Sequence, residues 1–371
     1  MKIAIIHYWL RNMRGGEKVV EALCEMFPEA DIFTHFYLPE AVSETIRKHE
    51  IRTTFIQKFP RPSRYFKHYL PLMPIALEQL DLGGYDLVIS SESGPAKGVV
   101  IPSHTSHLCY CHTPMRYIWD LYHEYLDSAA PVIKLLFPLI AHYLRIWDYM
   151  SASRVDRFVA NSEYVAGRIL KTYGRTAEVI HPPVNVGDFQ NNNKPGDFYL
   201  MVGQLVSYKK TELAVEAFNR SGKKLVIIGE GEELNNLKKK APTNVKLMGW
   251  QPFEVIKDHY ARCKALVFPG VEDFGIVPVE AMASGRPVIA FRKGGATETV
   301  IDGITGIFFD EQTPDSLNIA IKRFEEVESE FDHKKIEEQA CKFDKNVFKE
   351  KLLTSIELLM NPISPITKER K

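Results

Sequence analysis

The sequence has no excess of charge of either sign, since 47 lysines and arginines stand against 47 aspartates and glutamates in 371 residues. Proteins that hold nucleic acid by general electrostatic attraction need a basic surplus, so we expect no nucleic-acid partner. Only five cysteines are present, and none forms the Cys-x-x-Cys or Cys/His spacing of a zinc site. The sequence therefore predicts reduced thiols and no metal site.

Long uncharged hydrophobic runs are also absent from the sequence. The most apolar stretch, residues 129–147, is interrupted by four polar or helix-breaking residues: Lys134, Pro138, His142 and Arg145. This leaves no uncharged span of about 20 residues, the length that crosses a bilayer. The chain also opens on a strand-like run, residues 2–6, without the charged and apolar pattern of a secretory signal. We therefore expect a cytoplasmic protein and not an integral membrane protein.

Short apolar runs alternate with amphipathic, helix-like segments, which is the pattern of parallel sheets with helical crossovers. The strand-like runs are 2–8, 86–91, 107–111, 157–161, 177–181, 198–203, 224–229, 245–249, 265–269 and 287–291. A linker rich in proline, glycine and asparagine, residues 182–196, breaks this alternation. The sequence therefore predicts an α/β protein with two Rossmann-like, doubly wound domains, residues 1–185 and 186–344, facing a central cleft. We expect the helix that starts near residue 345 to pack back on the first domain.

The balanced total charge conceals one strongly basic segment. Residues 47–69 contain seven lysines and arginines against one glutamate, interleaved with five aromatic residues: Phe55, Phe59, Tyr65, Phe66 and Tyr69. One interpretation is a solvated loop-and-helix face. The other is a surface that faces anionic lipid or an anionic acceptor. On the second interpretation we expect peripheral contact with the inner face of the cell membrane through 47–69.

The most specific pattern in the sequence lies within residues 268–285. A buried strand is followed by a loop and then by a helix that begins near Pro278, because proline suits the first helical turn. The backbone amides of Phe274, Gly275 and Ile276 then lie at a helix N-terminus, where an anion such as a diphosphate is favoured.

Two carboxylates flank this predicted anion site. Glu272 projects from the loop, and Glu280 is expected in the first turn of the helix. Carboxylates do not hold an anion, but they accept hydrogen bonds from the hydroxyl groups of a sugar or a ribose. The alternative is that Glu280 only complements the positive end of the helix dipole.

The two glutamates have the Glu-x7-Glu spacing, and here the sequence resembles the retaining GT-B glycosyltransferases of glycosyltransferase family four. The resemblance covers nearly the whole chain, through stretches in the family's order: 14–17, 161–163, 179–185, 203–209, 229–232, 284–290, 294–298 and 303–306. Residues 111–120 resemble a subgroup that includes mannosyltransferases. The resemblance implies the GT-B fold, with an acceptor-binding first domain and a donor-binding second domain.

The resemblance also implies roles for individual residues of the second domain. Glu280 would bind the ribose hydroxyls of a nucleotide sugar, Glu272 the hydroxyls of the donor sugar, and the amides of 274–276 the phosphate and sugar oxygens. Lys209 matches the family's diphosphate-binding lysine, and a cation there stabilises a departing diphosphate. The remaining donor-side candidates are Gln204, which stands where the family usually has arginine, and Lys210, whose charge could partly compensate.

In the first domain, His112 follows a predicted strand and is placed at the carboxyl end of a parallel sheet. Taken alone, such a histidine is more often a hydrogen-bonded structural group. The resemblance implies that it faces the donor sugar as a catalytic residue together with Glu272. Further candidates are the donor-side glycines Gly15 and Gly16, which allow close approach of a substrate to the backbone, and the acceptor-side residues Arg116, Trp119 and Asp120.

The sequence contains no Asp-x-Asp string, which metal-dependent glycosyltransferases of the other main fold use. With the resemblance, this predicts a metal-independent, cofactor-free retaining transferase that moves a hexose, mannose from GDP-mannose, to a growing lipid-linked glycan in envelope polysaccharide synthesis. Two alternatives remain open. One is a nucleotide-sugar epimerase of the same fold, and the other is a non-catalytic member that binds nucleotide sugar, for which Gln204 is the only support.

Overall fold

The computed structural model describes residues 1–128, 130–191 and 195–361. These residues divide into two compact units, one of Met1–His181 together with the chain from Phe348 onward, and the other of Pro182–Val347. Each unit is built on one parallel sheet with helical crossovers. The predicted α/β class with two Rossmann-like domains is therefore confirmed.

The first unit contains, within the described residues, a parallel sheet of seven strands in the order β3-β2-β1-β4-β5-β6-β7. Its strands are β1 Ile3–His7, β2 Asp31–Thr34, β3 Ile51–Thr53, β4 Leu87–Glu92, β5 Ser106–Cys111, β6 Arg157–Ala160 and β7 Ala177–Val179. Its helices are α1 Gly15–Met26, α2 Glu44–Arg47, α3 Pro62–Tyr69, α4 Met73–Glu78, α5 Tyr122–Ser128, α6 Pro131–Ser151 and α7 Glu163–Tyr173. The central strands β1 and β4 are buried at every residue, because helices cover both faces of the sheet.

The second unit contains, in its described part, a parallel sheet of six strands in the order β10-β9-β8-β11-β12-β13. Its strands are β8 Phe198–Val202, β9 Lys224–Ile228, β10 Val245–Gly249, β11 Leu266–Phe268, β12 Val288–Phe291 and β13 Gly306–Phe309. Its helices are α8 Thr211–Ser221, α9 Leu234–Lys240, α10 Phe253–Arg262, α11 Ile276–Ala283, α12 Ala296–Thr299, α13 Pro314–Val327 and α14 His333–Cys341. In each sheet the strand order reverses beside the first strand, so the loops after β1 and β4 lie at one edge of the first sheet, and the loops after β8 and β11 lie at one edge of the second sheet.

The last helix, α15 Lys345–Met360, returns to the first unit. Phe348, Leu352 and Ile356 are buried in the same hydrophobic cluster as residues of β1, β4 and α1. The ring of Phe348 lies edge-on to that of Tyr110, with the ring centroids 5.6 Å apart. The first unit therefore takes part of its core from the far end of the sequence.

No helix in the described part of the chain has the length and apolar character needed to span a membrane.

Candidate functional site

The loop between β11 and α11 forms the centre of the candidate donor site. α11 begins at Ile276, after Gly275 with a φ of 90°, so the predicted start near Pro278 is wrong by two residues. Glycine readily adopts this left-handed conformation, and Pro278 lies in the first turn, where no intrahelical hydrogen bond is lost. The amides of residues 274–276 therefore lie at the N-terminus of an eight-residue helix.

Glu280 lies in the second turn of α11 and not in the first, as the earlier start of the helix requires. Its Oε2 accepts a hydrogen bond of 2.8 Å from the hydroxyl of Tyr260 on α10. Burial, together with the neighbouring charge of Glu280, raises the pKa of the Tyr260 phenol well above its ordinary value. The phenol therefore stays protonated and orients this carboxylate.

Lys209 and Glu272 form an ion pair between Nζ and Oε1. Lys209 ends a short 3-10 helix, Ser207–Lys209, that follows β8, and Glu272 follows the neighbouring strand β11. A Cβ added to Gly270 would lie 2.9 Å from the Cα of Lys209, so the absence of a side chain there permits the close approach of the two loops. Both partners are mostly buried, with 15% and 21% of their side chains exposed.

The Lys209–Glu272 pair lines a crevice at the carboxyl ends of β8 and β11. The other residues that line it are Met201, Val202, Gly203, Gln204, Val267, Phe268, Pro269 and Gly270. The loop after β12 supports one side, because Gly295 donates its backbone N–H to the carbonyl of Glu272 at 2.9 Å. The structure therefore brings Gln204, Lys209 and Glu272 together, while Lys210 lies beside them as the N-cap of α8.

In the first unit, three neighbouring strands bring polar side chains together at their carboxyl ends. His7 ends β1, Ser91 lies on β4, and His112 follows β5. The hydroxyl of Ser91 lies 2.8 Å from Nε2 of His112 and 3.1 Å from Nδ1 of His7. Asn161 donates to the backbone carbonyl of His112 at 3.0 Å, which fixes the start of the loop.

Both imidazoles of this group are neutral at pH 7. Burial lowers the pKa of His112 to about 4. Burial and the neighbouring His112 lower the pKa of His7 to about 3. His112 therefore interacts with its surroundings as a neutral hydrogen-bonding group and not as a cation.

The N-terminus of α1 lies directly over this group. A Cβ added to Gly16 would lie 2.7 Å from the hydroxyl oxygen of Tyr8 and 3.7 Å from Nε2 of His112. The carboxylate of Glu17 accepts the backbone N–H of Arg14 at 3.1 Å, which satisfies one backbone donor at the start of α1. Burial raises the pKa of Glu17 to about 7.

We expect Gly16→Ala to destabilise the first unit by about 1–3 kcal/mol, because the new methyl group overlaps the Tyr8 hydroxyl in a packed region. Gly167→Ala is the matched control, since a Cβ at Gly167 in α7 meets nothing within 4 Å. Removing a helical glycine there should stabilise the protein by about 0.5–1 kcal/mol. Urea unfolding followed by circular dichroism measures both changes, and equal effects would contradict the close packing over His112.

The predicted acceptor-side residues have structural partners in the first unit. Trp119 Nε1 donates to Oδ2 of the buried Asp148 at 2.7 Å. Asp120 pairs with Arg168, with 2.8 Å between Oδ2 and Nε. Arg116 accepts the backbone N–H of residue 121 at its carbonyl, at 2.8 Å. These contacts hold the segment in place, and its role toward an acceptor stays a prediction.

Sequence reasoning missed three side chains that orient the candidate residues: His7, Ser91 and Tyr260. His7 and Ser91 lie at the carboxyl ends of central strands, so the rule that singled out His112 could have found them too. Tyr260 lies 20 residues before its partner on another helix, and no local pattern marks it. Among the described residues, no group of three or more His, Cys, Asp or Glu side chains is arranged to hold a metal ion.

Two family models match the chain, and together they span 13–343. Residues 13–188 match the model described as Glycosyltransferase Family 4. Residues 188–343 match the model described as Glycosyl transferases group 1. The change from one model to the other falls close to the boundary between the two structural units.

Curated relatives are similar at modest identity. A GDP-mannose-dependent alpha-(1-6)-phosphatidylinositol monomannoside mannosyltransferase of Mycolicibacterium smegmatis is 29% identical over 338 residues, 77% of this chain and 83% of the relative. An alpha-1,3/1,6-mannosyltransferase of Dictyostelium discoideum is 25% identical over 262 residues, 57% of this chain and 60% of the relative. An uncharacterized glycosyltransferase of Methanocaldococcus jannaschii is 28% identical over 214 residues, 56% of this chain and again 60% of the relative. The chain thus spans well under two thirds of the length of the last two.

Solved structures share the fold over nearly the whole chain. Sucrose-phosphate synthase from Thermosynechococcus elongatus has a TM-score of 0.73 at 16% identity, covering 97% of this chain and 99% of that one. HepE of Anabaena, solved in complex with UDP, has a TM-score of 0.70 at 14% identity, covering 97% and 100%. At these identities the likeness concerns the fold alone, which is the α/β GT-B fold.

Proposed function

We propose that the chain, which has the GT-B fold and is similar to glycosyltransferase family 4, is a glycosyltransferase that moves a hexose from a nucleoside diphosphate sugar to a hydroxyl of a growing glycan. The observation that carries this proposal is the pairing of Lys209 with Glu272 in the crevice at the strand ends of the second unit. A cation and a sugar-binding carboxylate at one sheet edge suit a diphosphate joined to a hexose.

In the proposed mechanism, Lys209 and the amides of residues 274–276 stabilise the negative charge that develops on the departing diphosphate. Glu280, held by Tyr260, accepts hydrogen bonds from the ribose hydroxyls. Glu272 accepts hydrogen bonds from hydroxyls of the donor sugar. These contacts bind and orient the donor without a protein nucleophile, and we propose that the anomeric configuration is retained.

For His112 we propose the role of a neutral hydrogen-bond partner of the substrate. The low pKa that follows from burial keeps its ring uncharged at pH 7. Its Nε2 is held by Ser91 at 2.8 Å, and the Gly16 backbone at the start of α1 packs close to the ring. A neutral imidazole can accept or donate one hydrogen bond without repelling a developing positive charge on the sugar.

We propose GDP-mannose as the donor and a lipid-linked glycan as the acceptor. The support is the resemblance of residues 111–120 to mannosyltransferases and the activities of two relatives, both mannosyltransferases, one of which is GDP-mannose-dependent and acts on a phosphatidylinositol monomannoside. A lipid-linked acceptor also accounts for the basic segment 47–69, which we propose faces an anionic membrane surface.

Incubation of the purified protein with GDP-mannose, GDP-glucose, UDP-glucose and UDP-galactose tests the proposed reaction. A transferase should release free nucleoside diphosphate slowly, by hydrolysis, and faster when lipid extract supplies an acceptor. Interconversion of the sugar without release would instead indicate an epimerase. Binding with neither reaction, with or without lipid extract, would indicate a sensor of nucleotide sugars, and no binding of any of the four would reject the site.

We expect Glu280→Ala to weaken GDP binding at least tenfold, because the ribose loses a charge-assisted hydrogen-bond partner worth about 1.5–3 kcal/mol. Tyr260→Phe removes only the group that orients Glu280, so a smaller loss is expected. Isothermal titration calorimetry measures both affinities. Glu216→Ala is the control, since this glutamate is about half exposed on α8. An unchanged affinity in Glu280→Ala would show that the ribose binds elsewhere.

A further inference from the structure

α6 carries a continuous apolar face that the first unit leaves uncovered. All 21 residues of the helix are described, and nine large hydrophobic side chains on it are exposed: Val132, Ile133, Leu135, Leu136, Leu139, Tyr143, Ile146, Tyr149 and Met150. Leu135 is 79% exposed and Leu139 is 72% exposed, which is unusual for leucine in a folded helix. Contiguous apolar surface of this extent marks an interaction site.

The opposite face of α6 is firmly packed, so the exposed face is not the result of a loosely attached helix. Ala141 and Leu144 are fully buried in one cluster with Met115 and Ile118. Arg145 Nε donates to the carbonyl of Ile118 at 2.6 Å. The outward direction of the nine side chains is therefore set by the fold.

A basic helix, α3, lies close to α6 through the chain that follows it, since Glu78 of α4 accepts the indole N–H of Trp147 at 2.9 Å. Leu70, directly after α3, packs against the same buried cluster as the inner face of α6. α3 carries Arg64 and Lys67 and no acidic residue. Leu72 and Ile75, which continue the chain after α3, are themselves exposed. The cations of α3 are therefore carried by a part of the first unit that packs next to α6.

The aromatic residues of the basic segment, 47–69, add little exposed apolar surface to the first unit. Four of them pack against the buried cluster of Phe36, Ile56 and Ala76: Phe55, Phe59, Phe66 and Tyr69. The basic segment therefore supplies mainly charge, and the apolar area must come from another element. α6 is the element that has it.

We propose that α6 lies in the interface of an anionic bilayer, with its nine exposed side chains inserted among the acyl chains and the cations of α3 on the lipid headgroups. α6 carries one exposed lysine, Lys134, and its only carboxylate, Asp148, is fully buried. Because no described helix can span a membrane, this contact lies along the surface. A second copy of the chain would bring the same basic charges to the contact, whereas anionic lipid neutralises them.

The acidic residues that precede α6 weaken the electrostatic attraction of this region to anionic lipid. Glu124 and Asp127 on α5 are exposed. Attraction to anionic lipid therefore depends on α3, while insertion depends on α6. The two contributions can be separated by changing one helix at a time.

Sedimentation with sucrose-loaded vesicles tests the proposal on the full chain. The vesicles are pure phosphatidylcholine, or phosphatidylcholine with about one-third phosphatidylglycerol as the anionic lipid. We expect the protein to bind the anionic vesicles, and the variant Leu135→Ser/Leu139→Ser to bind them at least about tenfold more weakly, since both side chains lose their apolar contact with lipid. Arg64→Glu/Lys67→Glu should lose the preference for anionic lipid.

The matched control is Leu170→Ser/Ile319→Ser, which removes two apolar side chains that are 56% and 67% exposed on α7 and α13. It should bind vesicles as the unchanged protein does. Equal binding by the α6 variant would overturn the proposal. So would a dimer in light scattering that Leu135→Ser/Leu139→Ser converts to a monomer, because the face would then be an interface between two copies.

The proposed membrane contact rests on the proposed function in one respect only, namely that the acceptor is linked to a membrane lipid. GDP titration of the same variants keeps the two apart. Loss of vesicle binding with donor affinity unchanged supports the membrane surface. Vesicle binding by a protein that binds no nucleotide sugar would leave this surface standing and reject the proposed donor site.

Discussion

Lys97→Met is expected to lower the free energy of unfolding of the first unit by about 3–5 kcal/mol. Lys97 is fully buried, and its Nζ contacts Oδ1 of Asp148 and, at 3.3 Å, Oε1 of Glu92. Both carboxylates are also fully buried. Methionine fills much of the volume of lysine but leaves two buried anions without their shared cation.

The remaining contacts of the two carboxylates show how closely this charge cluster is built into the fold. Glu92 Oε2 accepts the backbone N–H groups of Ala96 and Lys97 at 2.8 and 2.7 Å. Asp148 Oδ2 accepts the indole N–H of Trp119 and the hydroxyl of Tyr173. These neutral donors cannot replace a cation.

The pKa shifts agree in direction with this picture. Burial alone would lower the pKa of Lys97, but Asp148 and Glu92 hold it above its ordinary value. Burial raises the pKa of Glu92, although Lys97 opposes the shift. Without Lys97, Glu92 is therefore the group expected to take up a proton.

Denaturant unfolding followed by tryptophan fluorescence measures the loss, since three of the four tryptophans lie in the first unit: Trp9, Trp119 and Trp147. Lys48→Met is the matched control in the same unit, because Lys48 forms an exposed pair with Glu44 that is worth about 0–1 kcal/mol. A Lys97 variant as stable as this control would mean that the buried cluster contributes little.

Lys209→Ala is expected to reduce kcat of the proposed transfer by about 100- to 1,000-fold, the usual cost of removing one group that stabilises the charge of a transition state. The loss should exceed that expected for an ordinary surface lysine, because Lys209 is mostly buried beside Glu272. Removing the cation also leaves the negative charge of Glu272 close to where the diphosphate would bind. Donor affinity should therefore fall as well.

The double variant Lys209→Ala/Glu272→Gln separates these two effects. Glutamine removes the repelling charge and keeps a hydrogen-bonding group for the sugar, so part of the donor affinity should return while kcat stays low. Steady-state kinetics with the active donor give kcat and KM for each variant, with Lys224→Ala as the surface control. A Lys209→Ala enzyme with unchanged kcat and KM would show that the diphosphate is held elsewhere.

The sequence predicts the α/β architecture well because the central strands are buried on both faces and appear as continuous apolar runs. Three strands were missed: β2, β3 and β13. β3 has only three residues, and Arg52 and Thr53 within it are exposed, so its pattern is that of a loop. β13 follows directly on a turn that contains Gly303, and its four residues, all buried, show no alternation of apolar and polar side chains. Such short strands are defined by their partners in the sheet.

The candidate site could be predicted where its residues follow strand ends or match family stretches, as His112, Lys209 and Glu272 do. The pairing of Lys209 with Glu272 could not, because it depends on the approach of two loops at Gly270. The exposed face of α6 shows the same limit. The apolar composition of α6 is visible in the sequence. Which face of the helix stays exposed depends on the packing of Ala141 and Leu144 against Met115 and Ile118, which the sequence does not show.

The return of α15 to the first unit has a consequence for the order in which the protein can fold during synthesis. β1, β4 and α1 leave the ribosome early, whereas Phe348, Leu352 and Ile356, which complete their hydrophobic cluster, follow more than 300 residues after β1. The second unit, Pro182–Val347, is continuous in sequence and is synthesised before Phe348, Leu352 and Ile356. The first unit therefore completes its native core only after the second unit has been synthesised, and its exposed apolar cluster must be tolerated until then.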